Sequence, residues 1–242
     1  MQLLVDIGNT NLKWATLASG RLGDMRVVRH HGGLPIDLHA AWEALPAPAQ
    51  VLVSNVGGEG IGAALRTACI SRWQREPRFA QARSSGCGVT VAYAQPERLG
   101  VDRWLAMIAA HHRWAAPVLI VDAGTAVTYD LLLADGRQLG GLILPGIEMM
   151  RGSLLEGTRI PSAEPDALIR PWATDTTAAV TSGPLQALAA LAERLYERLA
   201  TEARAVPELV VTGGDAERLL SALDRPVRYE PSLVLQGLAR IA

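Results

Sequence analysis

LLVDIGNTNLKWATLASGR (residues 3–21) and LIVDAGTAVTYDLLLADGR (residues 119–137) align without a gap when the chain is slid along itself. Leu3 and Leu119, Val5 and Val121, Asp6 and Asp122, Gly8 and Gly124, Leu17 and Leu133, Gly20 and Gly136, and Arg21 and Arg137 are identical. In each stretch an apolar run ends in Asp-x-Gly, a short polar turn follows, then a second apolar-rich run and a glycine-containing turn. Apolar runs punctuated in this way read as β-hairpins, so the chain carries one hairpin twice.

A second echo extends the repeat. VLVSNVGGEGIGAALRTA (51–68) and LVVTGGDAERLLSAL (209–223) each read as a buried strand, a Gly-Gly turn and a helical stretch. The two copies predict a duplicated α/β protein with a cleft between halves 1–115 and 116–242, divided near Ala115-Ala116-Pro117. Strands are expected at 2–6, 12–18, 51–55, 89–92, 118–122, 127–133, 140–144 and 208–212. Stretch 101–114 reads as a helix with Trp104 and Trp114 in the core. Stretch 176–204 reads as another, with Leu185, Leu188, Leu191, Leu195 and Leu199 on one face for a core or a subunit interface. Residues 157–175, with Pro161, Pro165 and Pro171, read as an irregular connector.

With 242 residues, 49% of them hydrophobic, the chain can bury one sizeable core or two small ones. Its 23 basic and 24 acidic side chains leave a net charge of -1, no footprint for nucleic acid. Cys69 and Cys87 lack a CxxC or a histidine at ligand spacing, so reduced thiols in the cytoplasm are expected rather than a disulfide or zinc. MQLLVDIGNT has no basic n-region and its apolar run breaks at Asp6, unlike a signal peptide or anchor. No window approaches the roughly 18 apolar residues of a membrane span. A soluble cytoplasmic protein without a membrane or nucleic-acid partner is therefore expected.

Asp6 closes a buried strand, where a carboxylate costs free energy unless a cation, a partner or solvent meets it. Gly8 lets a ligand approach the backbone, while Asn9, Thr10 and Asn11 offer short donors and turn N–H groups suited to phosphate oxygens. Lys13, the only lysine, lies just beyond. Alone, this motif also fits an Asx-turn hairpin with a capped Asp. Its return as Asp122-Ala123-Gly124-Thr125-Ala126 favours a pair of turns that hold a polyphosphate across the cleft.

Phosphoryl transfer needs positioning, Mg²⁺ and a carboxylate near the acceptor hydroxyl, with no covalent nucleophile. Asp102 supplies the carboxylate. Gly100 frees the backbone before it, and Arg103 beside it either keeps it ionised or binds a substrate carboxylate. By itself the pair equally reads as a helix N-terminal acid in a surface ion pair. GGLILPG (140–146) offers a lining for an acceptor pocket beside Glu148, and Gly213-Gly214 a place for adenine or ribose against the backbone. His30-His31 and His111-His112 lack a third ligand and read as solvated or capping histidines. The glycines at 58, 60 and 62 lack dinucleotide-site spacing, and no GxxxxGK[ST] occurs.

These motifs resemble the phosphate-1, phosphate-2 and adenosine motifs of the acetate and sugar kinase, Hsp70 and actin superfamily. Within it the chain is similar to the type III pantothenate kinases. DIGNTN at 6–11, Tyr93, LGVDR at 99–103, DAGTA at 122–126, GGLILPG at 140–146, TTAAVTSG at 176–183 and TGGD at 212–215 follow in family order. The resemblance implies two ribonuclease H-like (actin-like ATPase) domains. It implies ATP-dependent phosphorylation of pantothenate to 4'-phosphopantothenate, the first step of coenzyme A biosynthesis.

For ATP, the resemblance implies contacts from Asp6, Ile7, Gly8, Asn9, Thr10, Asn11, Leu12, Lys13 and Thr125, with Asp6 ordering Mg²⁺ through water. Asp102 becomes the general base, and Tyr93, Gly100, Val101, Asp102 and Arg103 hold pantothenate. It further implies a monovalent cation, K⁺ or NH₄⁺, on Asp122, and a homodimer in which Thr176, or the adjacent Thr177, reaches pantothenate near the interface. Asp175 stands where relatives often carry Asn. Another small-molecule kinase of the superfamily, for a sugar or a carboxylate, and an accessory nucleotide sensor are the alternatives. Intact Asp6, Asp102, Arg103 and Asp122 favour the enzyme.

Overall fold

Near-continuous apolar runs mark strands covered on both faces, and the runs at the two repeats become the central strands of two sheets. The structure, a computed structural model, describes residues 1–161 and 169–242. Residues 162–168 of the expected connector, Pro165 among them, lie outside the described residues.

One unit comprises Met1–His112 with Ser232–Ala242. Its elements are β1 (Gln2–Ile7), β2 (Asn11–Ala18), β3 (Arg21–Leu22), β4 (Arg26–Arg29), α1 (Ile36–Glu43), β5 (Gln50–Asn55), α2 (Glu59–Trp73), β6 (Arg78–Phe79), β7 (Ser85–Gly86), β8 (Val89–Thr90) and α3 (Val101–Arg113). The main sheet runs β3-β2-β1-β5-β6, with β4 also pairing β2. Leu3, Val5, Ile7, Val51 and Val53 meet Ile61, Leu65 and a tryptophan cluster in its core. Trp42 packs edge-on to Trp14, with centroids 6.2 Å apart, and tilted on Trp73 at 5.3 Å. Burial, with Glu76 nearby, pushes the Cys69 thiol up to about 11.

The other unit, Arg113–Pro231, holds β9 (Val118–Ala123), β10 (Ala126–Leu132), β11 (Gln138–Pro145), α4 (Ile147–Gly157), α5 (Thr176–Ala203), β12 (Glu208–Thr212), α6 (Ala216–Leu220) and β13 (Arg228–Tyr229). Its sheet order, β11-β10-β9-β12-β13, repeats the first. In both, the central strand has an antiparallel hairpin partner on one side (β2 or β10) and a parallel strand on the other (β5 or β12). The leucine face of α5 enters the core at Leu185, Leu188, Leu195 and Leu199. The Tyr129 hydroxyl donates to the Leu188 carbonyl at 2.9 Å, tying β10 to α5.

The α/β class and the duplication agree with the repeat. Helix α7 (Leu233–Arg240) belongs to the first unit, not to an expected second half running to residue 242. Its buried Leu233, Leu235 and Leu238 supply the reason, and Gly237 lies backbone to backbone against Leu105 of α3. Trp104 is buried as expected, whereas Trp114 is only half-buried, because it follows the end of α3 and lies under Arg113. The expected strand at 89–92 shortens to Val89–Thr90. Helices α1 and α4 lie outside the expected elements.

Candidate active site

In the first unit the chain reverses between β1 and β2 through Gly8, Asn9 and Thr10, closed by Gly8 N–H donating to the Asn11 carbonyl at 3.0 Å. Asp6, 7% exposed, ends the run that leads into the turn. It stands in register with Lys13 on β2 and Ser54 on β5. Ile7 and Leu12 face one another across the hairpin and are fully buried, so only their backbone can serve a ligand. Asn9 is exposed, and Thr10, Asn11 and Lys13 are half-exposed.

Three neighbours outside the expected site brace this turn. Val56 and Gly57 both donate to the Ile7 carbonyl, at 2.9 and 3.1 Å, and Gly57 also donates to Asn55 Oδ1 at 3.0 Å. A Cβ on Gly57 would overlap the Gly8 carbonyl oxygen. His30, just past the end of β4, places Nε2 2.9 Å from that same carbonyl. His30 is buried and not solvated, because β4 pairs with β2 as far as Arg29 opposite Asn11 and so delivers the next residue to the turn.

A second cluster in this unit gathers Tyr93 and the start of α3. Arg103, 5% exposed, donates from Nη1 to the Tyr93 hydroxyl at 3.0 Å, its guanidinium carbon 5.8 Å from the ring centroid. Asp102 is half-exposed, and its Oδ1 accepts the Arg103 backbone N–H at 2.8 Å in the first turn of the helix. The Gly100 carbonyl accepts the Trp104 N–H at 3.1 Å, while Val101 is buried. The result is a partly exposed carboxylate beside a buried cation.

In the second unit, Asp122 on β9 stands in register with Thr128 and Thr212. Gly124 N–H closes the turn on the Ala126 carbonyl at 3.1 Å and leaves Thr125 exposed. This turn is one residue shorter than the first, so Asp122 opposes Thr128 and not Tyr129, the residue that the gapless alignment pairs with Lys13. Gly146 donates to the Thr125 carbonyl at 2.9 Å, and a Cβ there would overlap the Gly124 carbonyl. The end of GGLILPG thus braces a turn, and Glu148 is engaged by Arg218 at 2.8 Å. Gly213, at φ +101°, lies against the Ala123 carbonyl. Its missing side chain therefore admits the protein's own backbone.

Thr176 is the exposed first residue of α5, capped by Asp175, whose Oδ1 accepts the Ala178 N–H at 2.9 Å. Thr177 is partly covered, and its carbonyl accepts the Thr181 hydroxyl at 2.9 Å.

The donor set fits a hard cation carried with a nucleotide. Ser54 Oγ is buried without a hydrogen-bond partner, in register with Asp6. Among the described residues no group of three or more His, Cys, Asp or Glu could cage a metal. Mg²⁺ with nucleotide needs only one or two carboxylates plus phosphate oxygens. Asp122, with two threonines in register, offers oxygen ligands of the kind a monovalent cation takes. Among the described residues no helix is long and apolar enough to cross a membrane.

Comparisons with known proteins give the family. The family model described as type III pantothenate kinase matches residues 2–198. A curated type III pantothenate kinase of Nitrosococcus oceani is 41% identical over 249 residues, spanning 100% of this chain and 94% of the relative. One from Burkholderia mallei is 38% identical over 257 residues, spanning 100% and 99%. Among solved structures, a Campylobacter jejuni protein named as a Baf family transcriptional activator matches with a TM-score of 0.62 at 21% identity, covering 99% of this chain and 96% of that one. The activator of the 2-hydroxyisocaproyl-CoA dehydratase from Clostridium difficile, solved with bound ADPNP, matches with a TM-score of 0.51 at 12% identity, covering 100% and 93%. These two share the α/β fold of this chain. Matched by the family model over most of its length, and by curated relatives from end to end, the chain belongs to the family of type III pantothenate kinases, phosphotransferases with an alcohol as acceptor.

Proposed function

We propose that this chain phosphorylates the primary hydroxyl of pantothenate with ATP, giving 4'-phosphopantothenate and ADP in the first step of coenzyme A biosynthesis in the cytoplasm. The observation that carries the reading is the cluster of Tyr93, Asp102 and Arg103 in a chain 41% identical over its length to a relative named type III pantothenate kinase. Asp102 is the general base. It accepts the hydroxyl proton as the new P–O bond forms and the bond to the β-phosphate oxygen breaks. Arg103 and Tyr93 hold pantothenate, whose carboxylate suits a planar guanidinium with five donors.

The Asp6–Lys13 turn and Thr125 serve the nucleotide. Turn N–H groups and the Lys13 ammonium meet phosphate oxygens, and Asp6 orders Mg²⁺ through water. Mg²⁺ held there would neutralise charge on the transferring phosphate, and Asp122 would hold K⁺ or NH₄⁺.

The active form is a homodimer with Thr176 near the interface. Supporting this, β11 is the outer strand of its sheet and exposes Leu142 and, at 62%, Ile143, beside Met149 and Leu154 of α4. Exposed apolar edge strands pair with other chains unless they are covered.

An ADP-release assay with ATP, Mg²⁺ and separate acceptors, pantothenate and common sugars, run with and without K⁺, tests the reading. Pantothenate-dependent ADP is expected. Turnover with a sugar alone, or ATP binding without acceptor-dependent turnover, would overturn it.

A further inference from the structure

We propose that His30 is a positioning residue for the nucleotide, holding the Gly8 carbonyl inward so that the Asn9 amide faces the phosphates. This rests on assigning the Gly8–Asn11 turn to ATP. His30 is 4% exposed and follows β4. Its Nε2 lies 2.9 Å from the Gly8 oxygen, and a carbonyl only accepts, so Nε2 carries the proton. Nδ1 then has a lone pair, and the Gly32 N–H donates to it at 3.3 Å. The two bonds define one neutral tautomer. The His30 backbone N–H also donates to the Thr10 carbonyl at 2.9 Å. One residue therefore grips the turn on both sides of Asn9.

Peptide planarity converts this grip into ligand geometry. In a trans peptide the Gly8 C=O and the Asn9 N–H point in opposite directions within one plane. With the oxygen held by the buried imidazole, and with Gly57 packed so closely that a Cβ would overlap it, the N–H turns toward the exposed side, where the Asn9 side chain also lies. A donor fixed before binding needs no reorganisation when the anion arrives. A side chain kept here for bulk alone would more cheaply be apolar, since a buried polar group costs free energy without its hydrogen bonds.

His30→Gln and His30→Asn separate positioning from packing. Gln extends an amide N–H toward the place of Nε2; Asn reaches only as far as Nδ1. Calorimetry with a non-hydrolysable ATP analogue and Mg²⁺, steady-state kinetics in both substrates, and thermal melts are read together. The expected result is that His30→Asn weakens analogue binding and raises the ATP KM about tenfold, the scale of one lost hydrogen bond. The pantothenate KM stays put, and His30→Gln stays within about threefold of the parent.

Equal behaviour of the two variants, or a parallel rise in both KM values, would overturn the proposal. A parent protein that binds no analogue would remove the ATP assignment and this inference together; a parent that binds, with His30→Asn unchanged, would remove the inference alone. Should His30→Asn not fold, ¹⁵N NMR of the parent decides. An Nε2–H tautomer and an Asn9 amide shifted by the analogue are expected, and an Nδ1–H tautomer or an unmoved Asn9 amide would overturn the proposal.

Discussion

Lys13 stands directly opposite Asp6 in the register of the first hairpin. Opposed residues of an antiparallel pair share a face, with Cβ atoms about 4.5–5.5 Å apart, so the only lysine of the chain shares a sheet face with the acid that leads into the turn. The second hairpin sets Thr128 opposite Asp122. The two related turns are thus chemically unequal: one pairs a carboxylate with an ammonium, the other a carboxylate with hydroxyls.

Lys13→Met is therefore expected to raise the ATP KM by roughly 10–100-fold, the range for a charged hydrogen bond, and to spare the pantothenate KM. Initial rates at varied ATP check this. An unchanged ATP KM would release Lys13 from the nucleotide.

The Arg103–Tyr93 contact leads to the opposite split. Tyr93→Phe removes the acceptor of the Arg103 Nη1 bond and is expected to raise the pantothenate KM several-fold, about 1 kcal/mol. Arg103→Lys, which loses the planar fork, is expected to raise it more. The affinity of an ATP analogue, measured by calorimetry, should stay within about twofold of the parent in both.

The contrast between the hairpins also marks what the sequence could disclose. Strands with continuous apolar runs, such as Val118–Ala123, and the leucine face of α5 announced themselves through period and composition. The Asp-x-Gly repeat located both turns, because a carboxylate at a strand end is conspicuous. The one-residue difference in turn length was invisible, since register is set by hydrogen bonds such as Gly124 N–H to Ala126, not by identity of letters. His30 escaped for a similar reason: β4 is short and mostly exposed, so nothing local signals that its last neighbour lies under Gly8. Gly213 and Gly146 were legible as glycines, but whether a ligand or the protein's own backbone fills the space is a tertiary fact.

Two glycine substitutions test the packing. A Cβ on Gly237 would overlap the Leu105 backbone, so Gly237→Ala is expected to destabilise by about 1–3 kcal/mol through overpacking. Gly152, inside α4 with open space around it, is expected to gain about 0.5–1 kcal/mol as Ala. Urea unfolding midpoints should move in opposite directions.

The exposed edge at Leu142 and Ile143 predicts the response of the assembly. Ile143→Asp, at a position 62% exposed in the single chain, is expected to shift sedimentation from dimer to monomer without lowering the melting temperature of the monomer. An unshifted dimer would place the interface elsewhere.

The most direct test of the mechanism is the turnover number of Asp102→Asn with pantothenate and Mg·ATP, with analogue binding measured on the same preparation. A fall of about two to four orders of magnitude in kcat is expected, the range for loss of a general base, with analogue affinity retained. Turnover at the parent rate would contradict it, and remove Asp102 from the proton transfer.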